Sequence, residues 1–289
     1  MKRLLSIFFL AVFIFTFAIG PPVSAVTPPV AEQPKGLFVT PPRQYLNVAA
    51  GKAATGTFTV GNLNDAPMKV VLSVGQFSLA DYTYDYNFSA PKEDWVKLSK
   101  TQVDLAPKTS QTVTYSINPP IGASPGGHYF SIFASATISP GKQVRTALIL
   151  YATVDGKLKK TSEIVSDTLP LITFSGSIPL HLNIKNTGNT HFFVYISGKL
   201  SGWFLDQKRN EVAHVLLPQT IRSVETTIQP PAIPGIYQAT YGYRNEEGQY
   251  TEKKKYIAYV PIWFWVTLGG TIWLAIVLLR RKRRLRKDH

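Results

Sequence analysis

The feature that most constrains this chain is a stretch it spells twice. LAPKTSQTVTYSINPPIGASPGGHY, residues 105–129, is echoed by LPQTIRSVETTIQPPAIPGIY, residues 217–237. Shifted by 111, Pro107 falls on Pro218, Thr109 on Thr220, Val113 on Val224, Ile117 on Ile228 and Pro119-Pro120 on Pro230-Pro231. Pro125, Gly126 and Tyr129 then answer to Pro234, Gly235 and Tyr237, in a slightly shorter second copy. That spacing is too long for a solenoid repeat and suits a whole domain. Each copy is turn chemistry. A proline corner ends one strand because proline cannot donate to the ladder, an alternating strand follows, and a Pro-Gly turn delivers a tyrosine-bearing strand.

The rest of the chain agrees. Thr57–Val60, Met68–Val74, Trp95–Leu98, Thr112–Ile117, His128–Ile138 and Val144–Val154 read as short strands separated by turn residues. Leu182–Ile184 and Phe192–Ile196 repeat the pattern, here with an offset of 124 that puts Asn62 on Asn186 and Val70 on Val194. The prediction is an all-β protein of two tandem immunoglobulin-like β-sandwich domains, 37–155 and 156–260, followed by one transmembrane helix. A Pro-rich lead-in, 26–36, precedes them.

The two ends state where these domains lie. Lys2 and Arg3, an uncharged run from Leu4 to Ile19 and Val23-Ser24-Ala25 have the layout of a secretory signal peptide over residues 1–25, an uncleaved anchor being the other reading. Near the other end, Ile262 to Leu279 is 18 residues without a charge. At 1.5 Å per residue that is about 27 Å, close to a bilayer's hydrocarbon core, so 261–279 is expected to span a membrane. Trp263 and Trp265 suit its outer interface, and the basic tail 280–289 predicts a cytoplasmic C-terminus. The expected product is a single-pass plasma-membrane protein whose body is outside.

The formal charge of +14 is no nucleic-acid footprint, since the tail and the signal carry much of it. Anionic wall polymer or phospholipid is the compatible partner. The absence of cysteine leans toward a bacterial surface without disulfide staples. Five histidines at no metal-pair spacing, no Gly-rich phosphate loop and carboxylates in turn-like contexts imply neither enzyme, metal nor cofactor. Leu217-Pro218-Gln219-Thr220 lacks the glycine of a sortase motif and lies inside the repeat.

Domain one has 13 residues more than domain two before Trp95. They include Tyr82, Tyr84, Tyr86 and Phe88 at every second position, so a strand here puts four rings on one face. Such rings either cover an open edge of the core or form a platform for sugar or protein.

Trp95, Pro107 and the Pro125-Gly126-Gly127-x-Tyr129 return, within a chain ordered as signal, two sandwiches, span and basic tail, resemble the WxL-interacting proteins of Gram-positive bacteria. The resemblance covers about Gly36 to Val154. It implies peptidoglycan binding by the first domain, host or matrix binding by the second, and work beside WxL-type wall proteins. The expected function is therefore a surface binding protein for wall polymer or another surface protein. Two alternatives are a structural spacer and an assembly or chaperone-like subunit, the latter needing an exposed sheet edge to offer a partner strand.

Overall fold

Asn62 and Asn186, matched by the repeat, hold the same corner in two places. Each is buried; the Asn62 side chain donates to the Ala66 carbonyl and accepts from the Asn64 N–H, while Asn186 donates to Thr190 and accepts from Gly188. Lys108 and Gln219, also matched, both sit in the left-handed region with φ 56° and 60°. Thr109 and Thr220 close the two corners with hydroxyl bonds to the Ala106 and Leu217 carbonyls. A buried amide is stable only when its donors and acceptors are met, so both copies keep the asparagine.

These corners belong to a computed structural model that describes residues 36–287 apart from 140, 175, 203 and 204. The expected signal peptide and nearly all of the lead-in lie outside the described residues. The first half supplies β1 (Leu37–Thr40), β2 (Arg43–Val48), β3 (Ala54–Asn62), β4 (Met68–Leu79), β5 (Tyr86–Ser89), β6 (Val96–Leu98), β7 (Gln102–Leu105), β8 (Ser110–Ile117), β9 (Gly126–Ser139) and β10 (Lys142–Val154). The second supplies β11 (Ser162–Thr168), β12 (Ile172–Thr173), β13 (Ile178–Asn186), β14 (Phe192–Gly202), β15 (Leu205–Asp206), β16 (Val212–Leu216), β17 (Ile221–Ile228), β18 (Gly235–Asn245) and β19 (Tyr250–Tyr259). A helix, α1 (Ile262–Lys287), follows.

The strands make two sandwiches of immunoglobulin-like type. Sheet β1-β3-β8-β6 faces sheet β2-β10-β9-β4-β5, and sheet β11-β13-β17 faces β12-β19-β18-β14-β15. Alternation builds each core: Met68, Val70 and Leu72 of β4 point inward against Ile132 and Leu150, while Lys69 and Val71 face out. In the second sandwich Leu180, Leu182 and Ile184 of β13 meet Val194, Ile196 and Tyr241 in the same way. Asp167 ties β11 to β19: burial pushes its carboxyl up, but bonds from Lys253, Lys255 and Tyr241 outweigh that and hold it well below the usual carboxylate range.

One connection repeats without having been legible in the sequence. Pro41-Pro42 ends β1, and β2 then crosses to the other sheet to pair in parallel with β10. In the second sandwich Leu169-Pro170 ends β11, and β12 pairs in parallel with β19. Proline removes the donor needed to continue in the first sheet, which frees the chain to change sheets.

The Ile262–Arg280 part of α1 is long and apolar enough to cross a membrane. Only Val260 and Pro261 separate it from the last strand.

Candidate functional site

The aromatic run of the domain-one insertion does not form one strand. Tyr82 and Tyr84 adopt left-handed backbone, φ 66° and 63°, and only Tyr86 and Phe88 lie in β5. The expectation of four rings on one strand face is therefore corrected. Period-two spacing places side chains on a common face only while the backbone stays extended, and here it turns twice.

The turns serve a contact between the two sandwiches. Asp81 accepts from the Ile221 N–H at 2.7 Å, and the Tyr82 N–H donates to the Ile221 carbonyl at 2.7 Å. Ser223 N–H returns a bond to Tyr82. Tyr82 thus adds a one-residue parallel bridge to the edge strand β17, opposite Arg222. Tyr84 goes further: its hydroxyl donates to the Val215 carbonyl at 2.6 Å and accepts from the Leu217 N–H at 3.0 Å, and the Arg222 guanidinium sits 4.1 Å over its ring. Left-handed backbone costs about 1–3 kcal/mol per non-glycine residue and persists where surrounding contacts outweigh it.

Around this clamp lies a third apolar core, shared by both sandwiches. Phe77, Leu79, Ile149 and Tyr151 from the outer face of the first sandwich pack with Leu217, and Tyr84, Tyr86, Tyr129 and Val215 close around them. His191 joins the rings, 5.1 Å from Tyr151 and 5.7 Å from Tyr129. Burial pushes the Tyr129 and Tyr151 hydroxyls up, so both stay protonated. The Pro-Gly return is part of the same contact. Gly126 holds φ 134°, and a side chain there would come within 2.4 Å of the Asn189 carbonyl. Gly127 N–H donates to that carbonyl, and Asn189 donates to Pro125.

The other predicted residues are structural in their placement. Trp95 sits in the turn before β6, buried against His128 at 4.3 Å and Phe130 at 5.9 Å. Pro107 leads into the Lys108 corner. Pro234, Gly235 and Tyr237 line an open groove of about 850 Å³ in the second sandwich. The clamp itself was invisible to sequence reading, because Tyr84 and Leu217 are 133 residues apart.

Burial lowers the His191 pKa from 6.5 to about 4, with Lys160 adding to the shift and Glu246 opposing it. The unfolded chain binds this proton at higher pH than the folded one. The His191 contribution to stability is therefore complete above about pH 6.5 and is lost as pH drops toward 4, a window in which His214, lowered to about 4 by burial, acts in the same direction. We expect the melting temperature to decline across that window and His191→Gln to flatten the decline; unchanged slopes in a pH series of thermal melts would contradict the placement of His191.

What remains open is an edge. β10 pairs with β9 along its whole length, but β2 covers it only from Ile149 to Val154. Among the described residues no strand pairs with Lys142–Leu148 on its other side. The Ile149 N–H points to that side, donating to Pro42. Strand N–H groups alternate, so those of Ala147, Arg145 and Gln143 point the same way. Beside the edge, the Arg145 guanidinium lies 3.4 Å over Phe133, whose ring meets the half-exposed Phe88 edge-on at 5.0 Å. Such an arrangement can receive an extended segment; among the described residues no cluster of three His, Asp or Glu is placed for a metal.

No family model matches the chain, and no curated protein matches it. Solved structures that resemble it include the class 5 fimbriae chaperone CfaA, with TM-score 0.40 and 12% identity over 78% of this chain and 100% of that one. A CsuC–CsuE chaperone–tip adhesion subunit complex of Acinetobacter baumannii matches with TM-score 0.40 and 12% identity, covering 78% of this chain and 99% of that one. A PapD-like domain of human CEP192 reaches TM-score 0.33 and 13% identity, covering 48% and 99%. Likeness of this size assigns neither partner nor activity.

Proposed function

We propose that this chain is a membrane-anchored, non-catalytic module of the cell surface that holds a protein partner, as an assembly or chaperone-like subunit does. The observation that carries the reading is the unpaired side of β10 at Lys142–Leu148. An extended segment laid along it gains main-chain bonds from Gln143, Arg145 and Ala147, and side-chain selection from the alternate faces. On the inner face Val144 is only partly covered at the rim of the core, so an apolar side chain of the partner extends that core. The outer face offers Arg145 and the exposed ring of Phe88. The locked sandwiches favour the same reading, since a rigid receptor loses little freedom when it binds.

A photo-crosslinking residue in place of Gln143, in cells producing the full chain, tests this. The expected adduct is a protein, attached through an alternating apolar segment. Glu247, in the β18–β19 turn, is the control position and should capture none of it. Adducts to peptidoglycan fragments instead would move the function to wall-polymer binding, and no adduct at position 143 would remove the edge from consideration.

A further inference from the structure

The membrane-proximal end of the second sandwich carries apolar side chains that its own core does not use. Leu171, Ile172, Phe174, Ile233, Ile236 and Tyr256 are all exposed, Ile236 at 74% and Leu171 at 69%. Strand register gathers them. Ile172 on β12 and Ile236 on β18 both pair with Ala258 of β19, one from each side. Ile257 and Tyr259 are buried, so the row Ile172–Ala258–Ile236 faces outward. Ile233 and Tyr256 continue the patch as lining of the groove described above.

Chain connectivity says what lies next to this patch. β19 ends at Tyr259 and α1 begins at Ile262. Three Cα steps cover at most about 11 Å. There is no slack in them: the Val260 N–H is tied to the Thr173 carbonyl at 2.9 Å, and Pro261 is buried. A polar, flexible linker would let the sandwich stand off from the bilayer, and none is present between strand and helix. The headgroup layer is about 5–8 Å thick on each side of the hydrocarbon. The end of the sheet therefore meets lipid before it meets any other partner.

We propose that Leu171, Ile172, Phe174, Ile233 and Ile236 seat the second sandwich in the headgroup–acyl boundary of the membrane that α1 crosses. The side chains are those that interfacial segments bury there, and no charge lies among them, so zwitterionic lipid suffices. The seat fixes the tilt of the locked pair of sandwiches, and with it the height at which the β10 edge is presented. The inference rests on α1 spanning the bilayer.

The chain has no cysteine, which makes single labels clean. Ile172→Cys, Ile236→Cys, Glu247→Cys and Leu274→Cys, each carrying an environment-sensitive fluorophore, are reconstituted as full chains in phosphatidylcholine vesicles with spin-labelled lipid. Shallow spin labels should quench positions 172 and 236 about twofold or more and leave 247 unaffected, as expected for residues 5–10 Å into the boundary. Deep labels should quench 274. If 274 is quenched while 172 and 236 are not, the seat is wrong and the span stands. If 274 is not quenched, the span itself fails and the seat with it. Blue-shifted but unquenched emission at 172 and 236 means that protein covers the patch, which also overturns the proposal.

Discussion

Replacing Tyr84 with alanine should split the unfolding of this protein into two transitions, where the parent chain melts its two sandwiches together. The side chain makes two hydrogen bonds and a cation–π contact between them. Its removal takes away the ring beneath Arg222 and leaves the Leu217 N–H without its acceptor. A buried aromatic truncated to alanine costs about 3–5 kcal/mol, part of it the unmet donor, and the partly buried Tyr84 falls toward the lower end of that range. Almost all of that loss falls on the contact between the sandwiches, because Tyr84 belongs to neither main core. Each sandwich keeps its own buried strands, so the expected calorimetric trace of the full chain in detergent has two peaks. Tyr84→Phe keeps the ring and loses only the hydroxyl bonds, at about 1–2 kcal/mol, and should retain one broadened peak. Tyr82→Ala is the control. Its side chain is half exposed, and its bonds to Ile221 and Ser223 are main-chain bonds that alanine also makes. A single unshifted transition in Tyr84→Ala would mean that the shared aromatic core alone couples the sandwiches.

The same residues mark how far the sequence could be read. The corners at Asn62 and Asn186 were legible because the repeat printed each twice, and local turn chemistry with local strand alternation carries that information. Pro125, Gly126 and Tyr129 were legible as structural, but not as interface. What makes them so is Asn189 and His191, more than 60 residues further on. The insertion misled for a related reason. Alternating tyrosines satisfy a strand pattern, yet Tyr82 and Tyr84 turn out of line to reach β16 and β17, and no local window contains those partners. The crossings of β2 and β12 were missed because each is short, follows proline, and takes its register from the last strand of its own sandwich. The open edge at Lys142–Leu148 could not be read from strand pattern at all, since a strand looks the same in sequence whether it has one neighbour or two.

That edge supplies the other large expected effect. Arg145→Pro should sharply reduce the protein adduct captured at position 143 while leaving the protein folded. The reason is the alternation of strand N–H groups. Arg145 belongs to the same set as Ile149, whose N–H turns away from β9 toward Pro42. A proline at 145 removes a donor that the β9–β10 ladder does not use, and edge strands tolerate proline on that side. The ring also occupies the space where a partner's carbonyl would approach. Loss of one main-chain bond with that obstruction should weaken capture by about 10–100-fold. Arg145→Ala separates the contributions. It gives up the guanidinium over Phe133, worth about 0.5–1 kcal/mol at an exposed site, but keeps the N–H, so it should still capture the partner. Thr146→Pro removes a donor from the other side, breaking the β9 ladder, and should loosen the hairpin itself. The ordering of these three variants identifies the mechanism. If Arg145→Ala loses capture as completely as Arg145→Pro, the partner is held by the guanidinium and not by the strand edge. If neither loses it, the segment at Lys142–Leu148 is not where the partner binds.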